Sequence, residues 1–188
     1  MRHAALLAAC LLALPAAAED LPAGLELRVG LMAHDPGFLD GKESGALVNA
    51  EVLLPSPFPV PAATPRWAWL LRPRPHLGGS LNTAGDTSHG YAGLTWTALL
   101  GRDALRPGDA IRLDLFGGGA LNDGRHGTRE PDRKALGGNL LFRMGGEVGW
   151  QFTRHWSVSA YVEHQSNAGL ARRNQGLNST GLRLGYAF

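Results

Sequence analysis

The stretch Leu140-Leu141-Phe142-Arg143-Met144-Gly145-Gly146-Glu147-Val148-Gly149-Trp150-Gln151-Phe152 decides the fold. Leu140, Phe142, Met144, Val148, Trp150 and Phe152 lie on one side of an extended chain, and Arg143, Glu147 and Gln151 lie on the other. A period of two is the signature of a β-strand, whose successive side chains point to opposite faces. One face suits lipid and the other suits a polar interior.

The same alternation recurs on both sides of this segment. Trp156, Val158, Ala160 and Val162 oppose Ser157, Ser159, Tyr161 and Glu163, and at the C-terminus Leu182, Leu184, Tyr186 and Phe188 oppose Gly181, Arg183, Gly185 and Ala187. Near the start, Leu25 to Ala33 sets Leu25, Leu27, Val29 and Leu31 against Glu26 and Arg28, and Ile111, Leu113 and Leu115 oppose Arg112 and Asp114. Further strands are expected at Trp67 to Asn82, His89 to Ala98 and, more weakly marked, Ala46 to Leu54, which brings the total to eight. Segments rich in Gly, Pro, Asn and Asp separate them, as turns require.

The chain has 188 residues, is 44% apolar and 18% charged, and has a formal net charge of +2. This fits one domain of ordinary size, and nothing in the charge balance points to nucleic acid. Met1 to Ala18 combines Arg2, an apolar run from Ala4 to Leu14 and small residues at Ala16 and Ala18. That is the pattern of a cleaved secretory signal, so residues 1–18 are expected to be removed and residues 19–188 to form the domain. Leu7-Ala8-Ala9-Cys10 resembles a lipoprotein box, but it leaves too short a signal upstream. With Cys10 lost, the mature chain has no disulfide and no thiol nucleophile. After Ala18 no stretch approaches the roughly 20 apolar residues of a membrane helix.

An exported chain of eight alternating strands ending in Tyr186-Ala187-Phe188 fits an all-β, eight-stranded antiparallel transmembrane barrel of the outer membrane, closed because lipid cannot satisfy an open sheet edge. The alternative is a soluble barrel or sandwich with its apolar faces turned inward. Charge placement favours the membrane form. Glu26, Arg28, Arg112, Asp114, Arg143, Glu147, Glu163 and Arg183 share the polar faces, four acids and four bases that can pair in a narrow interior. Eight strands leave room for side chains but not for an open channel, which argues against a porin. Short turns in such barrels face the periplasm. The two-residue turn expected at Thr153-Arg154 therefore sets the seventh strand rising outward, with Leu170 to Gly176 as an outer loop and the eighth strand descending from Asn178. By the same rule Pro55 to Pro65 and Gly101 to Asp109 are long periplasmic connections.

His164 shares the parity of Ala160 and Val162, and Ser166 follows two residues later, so both side chains point outward near the outer end of the seventh strand. Residues so spaced lie roughly 6–7 Å apart at Cα. A serine hydroxyl needs a base to become a nucleophile, and an imidazole can serve. Asn178 has the outward parity of Thr180 and Leu182 and can approach His164 across the hairpin. The plainer reading is that His164 and Ser166 are interfacial residues bonding lipid headgroups.

The run His164-Gln165-Ser166-Asn167-Ala168-Gly169-Leu170, followed by Asn174-Gln175-Gly176-Leu177 and a last strand ending in Phe188, resembles the C-terminal signature of the outer-membrane lipid A 3-O-deacylases, the PagL family. Upstream, the segments from Arg72 to Thr83 and from Tyr91 to Trp96 are similar to strands of acyloxyacyl-hydrolase-type homologues. The resemblance implies a serine esterase that removes the ester-linked 3-hydroxyacyl chain at position 3 of lipid A, acting on lipopolysaccharide in the outer leaflet. It implies Ser166 as nucleophile, His164 as general base and an oxyanion hole from Asn167, Ala168 and Gly169. The family carries a glutamate twelve residues after the nucleophile; here that position is Asn178. An amide in place of the acid costs a serine-protease triad about 10⁴-fold, yet an Asn carbonyl orients the histidine of Cys-His-Asn enzymes. Glu163 and Glu147 cannot substitute, because their parity turns them inward.

Arg125, Arg129, Arg133, Lys134, Arg172 and Arg173 make basic outer rims, either solvated loop charges or binders of lipid A phosphates. His126 follows the turn signal Asn122-Asp123-Gly124 and reads as solvated. His34, His76, His89 and His155 have no metal-site spacing, so neither metal nor cofactor is expected. A homodimer would have to form across a lipid face, and no residue specifies one. Two functions stay open: a lipid A deacylase, and a non-catalytic barrel with a decayed site that stabilises the outer membrane or binds lipopolysaccharide.

Overall fold

The computed structural model describes residues 24–39, 41–58 and 67–188. The expected signal at residues 1–18 and the start of the mature chain lie outside them, as does part of the Pro55 to Pro65 connection.

Eight strands form one closed antiparallel barrel in chain order. They are β1 (Glu26–His34), β2 (Ala46–Leu53), β3 (Arg74–Asn82), β4 (His89–Arg102), β5 (Ala110–Asn122), β6 (Leu140–Gln151), β7 (Trp156–Ser166) and β8 (Leu177–Ala187). β8 pairs back onto β1, with Val29 opposite Leu184, so no strand edge is left unpaired.

Several boundaries differ from the sequence reading, each for a local reason. The expected strand from Trp67 begins only at Arg74, and Ala68–Leu71 is a 3₁₀ turn. Pro73 has no N–H to donate to a ladder, so pairing cannot extend back through it. β4 runs on to Arg102 through a bulge between Leu99 and Gly101, which shifts the alternation and hides the last residues. β5 continues to Asn122 through Gly117, Gly118 and Gly119, which carry no side chain to mark a face. The Thr153-Arg154 turn is a four-residue connection, 152–155, in which the Phe152 and Thr153 N–H groups donate to the Trp156 carbonyl.

The two faces separate sharply. Leu31, Leu81, Leu140 and Leu182 are 62–70% exposed, whereas Arg28, Arg112, Arg143 and Arg183 are 1% exposed. A soluble barrel would have the reverse arrangement, and an apolar wall of this extent requires lipid around it. At the end carrying the 152–155 connection, the outward aromatic residues cluster. Trp156 meets Tyr186 edge-on at 4.8 Å, Tyr186 meets Phe188 at 5.0 Å, and Trp150 meets Phe152 at 5.4 Å. Rings with a polar handle favour the membrane–water interface, and Trp150 uses its handle, donating to Asp109 at 2.8 Å.

Inside, charges pair across the ring. Arg28 bonds Glu26 at 2.9 Å, Asp114 at 2.8 Å and Glu147 at 3.1 Å; Arg112 bonds Glu26, and Arg183 bonds Glu147, both at 2.7 Å. Arg143 bonds Glu163 at 2.7 Å and lies between the Tyr91 and Phe116 rings. The network also takes in Glu51 and Arg74, two inward residues that the sequence reading did not place. Toward the other end Met32, Leu47, Phe116 and Tyr161 form an apolar layer.

Candidate active site

His164, Ser166 and Asn178 meet at the end of the β7–β8 hairpin. Register places His164 directly opposite Asn178, one pair before the ladder ends at Gln165 and Leu177. On the other side of β7, Ser166 faces Phe142 and His164 faces Met144, two exposed apolar residues of the outer wall. The imidazole is exposed and the Ser166 and Asn178 side chains are partly exposed, so all three polar groups open outward.

The His164 Nδ1 lies 2.9 Å from Asn178 Oδ1. A carbonyl oxygen can only accept, so Nδ1 carries the proton and Nε2 keeps its lone pair. That is the tautomer a general base needs. The ring leans over Gly176: a Cβ there would stand 2.6 Å from His164 Cε1 and 3.1 Å from Nε2. Gly176 lies one step past Leu177, in line with Ser166 across the hairpin, so its missing side chain leaves space for Nε2 beside the serine. Among the described residues Ser166 Oγ makes no hydrogen bond.

The turn after Ser166 is held by its own side chains. Asn167 points inward; its amide N–H groups donate to the Leu136 and Arg173 carbonyls, and its Oδ1 accepts from the Gly169 N–H. Its backbone N–H donates to Asn174 Oδ1. Of the three residues expected to make an oxyanion hole, Asn167 and Gly169 have therefore spent their donors. Ala168, held at φ 52°, has an N–H without a partner among the described residues.

The outer loops support the hairpin from behind. Lys134, expected on a basic rim, is buried: its ammonium donates to the Gly176 carbonyl at 3.1 Å and pairs with Asp35 at 3.3 Å. The Asp35 N–H in turn donates to the Asn178 carbonyl. Arg133 also turns in, pairing with Asp86. Residue spacing could not reveal either placement, because both depend on how the loop 123–139 folds over the barrel. Arg125, Arg129, Arg172, Arg173 and His126 are exposed. His34 pairs with Glu43, His76 with Thr95, His89 with Glu163, and His155 with the Ala187 carbonyl.

The closed sheet with a lipid-facing wall defines the class: a small outer-membrane β-barrel. The family model described as lipid A 3-O-deacylase (PagL) matches residues 58–187. The chain belongs to the lipid A 3-O-deacylase (PagL) family. The barrel is similar to the crystal structure of the outer membrane enzyme PagL, with a TM-score of 0.64 and 18% identity over 85% of this chain and 97% of that one. It is also similar to the N-terminal β-barrel domain of Pseudomonas aeruginosa OprF, with a TM-score of 0.53 and 13% identity over 88% and 98% of the two chains. No curated protein matches the sequence.

Proposed function

We propose that this protein is an outer-membrane serine esterase that hydrolyses the ester holding the 3-hydroxyacyl chain at position 3 of lipid A. The observation that carries the reading is the 2.9 Å bond from His164 Nδ1 to Asn178 Oδ1, beside a serine on the lipid-facing wall. Together with family membership, it supports Ser166 as nucleophile, His164 as general base and Asn178 as the group that orients the base.

In this reading Ser166 Oγ attacks the ester carbonyl while His164 Nε2 takes its proton. Catalytic hydrogen bonds commonly tighten only in the substrate complex, so Oγ and Nε2 close up when substrate fills the site. The tetrahedral oxyanion is met by the Ala168 N–H, with Asn167 and Gly169 fixing the turn that presents it. Collapse breaks the bond to the sugar oxygen, which leaves with the proton from Nε2 and an acyl group on Ser166. Water then repeats the sequence, releasing the fatty acid and restoring the serine. Asn178 keeps the tautomer but adds no negative charge to stabilise the imidazolium, so this site runs below the rate a carboxylate would give.

Mass spectrometry of lipid A from cells expressing the protein tests this. Wild type is expected to remove one 3-hydroxyacyl chain and Ser166→Ala none, with Asn178→Glu at least about tenfold faster than wild type. Intact lipid A with both wild type and Asn178→Glu, from barrels shown to be folded, sinks the proposal. Activity in Asn178→Glu alone identifies a decayed site.

A further inference from the structure

A cleft of about 320 Å³ opens between the loop 123–139 and the loop 167–176. Lys42, Arg129, Arg133, Arg172 and Arg173 line it, with Glu130 as the only acid among the lining residues. Arg133 is neutralised by Asp86, but Lys42, Arg129, Arg172 and Arg173 pair with no described acid. With Glu130 the only carboxylate in the lining, these four cations leave the concave space net positive, which favours an anion there. Three of the four are arginines, whose planar forks fit tetrahedral oxyanions through paired N–H donors.

The cleft and the Ser166 site share a loop. Asn174 lines the cleft and accepts from the Asn167 backbone N–H at 2.9 Å, so the cleft wall is tied to the residue that follows Ser166. Gln175, also in the wall, exchanges hydrogen bonds with Ala135 and so fixes the two loops to each other.

We propose that this cleft binds a phosphate monoester on the headgroup of a lipid whose acyl chains lie against the outer wall. It would hold the headgroup while the ester-bearing part of the same molecule reaches Ser166. The catalytic role of Ser166 rests on the preceding proposal; binding at the cleft does not, and the test separates them.

Full-length Ser166→Ala protein in detergent micelles would be titrated with lipid A, with enzymatically dephosphorylated lipid A and with inorganic phosphate. Lipid A is expected to bind at least about tenfold more tightly than its dephosphorylated form, with affinity falling as salt rises. The triple variant Arg129→Gln, Arg172→Gln, Arg173→Gln should lose that difference and leave binding of the dephosphorylated lipid unchanged. Inorganic phosphate that displaces lipid A only at millimolar levels supports a headgroup site; saturation by phosphate alone at micromolar levels overturns the lipid assignment. Equal affinity of Ser166→Ala for the two lipids, or an unaltered preference in a triple variant that still migrates as a folded barrel, overturns the proposal. With Ser166 intact, the triple variant should raise KM and leave kcat. If no form turns over while the phosphate preference persists, the esterase reading has failed and the binding site stands.

Discussion

His164 and Ser166 carry a signal that simple alternation exposes, because two polar side chains on an otherwise apolar face need a cause. The same parity places Asn178 beside them, and the register pairs it with His164. Gly176 carried no such signal: its role appears only in the fold, where the imidazole and the Gln165 carbonyl occupy the place its side chain would take. Gly176→Val would meet the Gln165 carbonyl as well as the imidazole, so it should strain the outer end of the hairpin and displace the His164 ring. Displacing a catalytic group by about 1 Å costs on the order of 100-fold, so turnover measured on lipid A should fall by that much with little change in KM. Asn167 directly follows Ser166, which suggests a donor for the proposed reaction. Its inward parity was legible, but the Leu136 and Arg173 carbonyls that consume its amide come from loop geometry. Asn167→Ala should therefore loosen the turn and lower both turnover and the resistance of the loop 167–176 to proteolysis, whereas a residue serving only the oxyanion would alter turnover alone.

Among the elements, strands with alternating side chains were legible and those interrupted by Pro, Gly or a bulge were misjudged at their ends. The outer loops were the least legible, because their contacts are made by residues far apart in sequence. Lys134, on the third outer loop, braces the backbone of Gly176 and, through Asp35, that of Asn178. Lys134→Met leaves Asp35 buried without its cation, and turnover should drop about tenfold while the strands stay paired, as read by kinetics beside infrared amide bands. Glu43 ties the first loop to the others. Burial alone would push its carboxyl up, but hydrogen bonds from the His34 side chain and from the Lys134 and Thr87 N–H groups prevail and hold it at about 2. A carboxyl depressed on folding stabilises the folded state above its unfolded value near 4.5, and that contribution fades as the pH falls toward 2. Protease cleavage of the outer loops should rise across that window in wild type and show no such step in Glu43→Gln.

For the molecule as a whole, the lipid-facing exterior and charged interior follow from parity summed over all strands. The eight inward charges read from the sequence do line the interior. Glu51 and Arg74 were missed because β2 is short and Arg74 stands between Pro73 and Pro75, which leaves too little alternation to assign a face. Five carboxylates, Glu26, Glu51, Asp114, Glu147 and Glu163, thus face five guanidinium groups, Arg28, Arg74, Arg112, Arg143 and Arg183. Removing one partner of a buried pair strands the other, at a cost of about 3–5 kcal/mol. Glu147→Met, which strips a partner from both Arg28 and Arg183, should lower the unfolding free energy in detergent by that amount, measured by urea titration. Several of the pairs join strands that are not neighbours: Glu26 of β1 reaches Arg112 of β5, and Arg183 of β8 reaches Glu51 of β2. A partly built sheet therefore carries unmatched charges that the bilayer will not accept, and they match only when the last strand meets the first. Electrostatics thus makes insertion and closure a single event, and a chain stalled before its final hairpin has no resting place in the membrane.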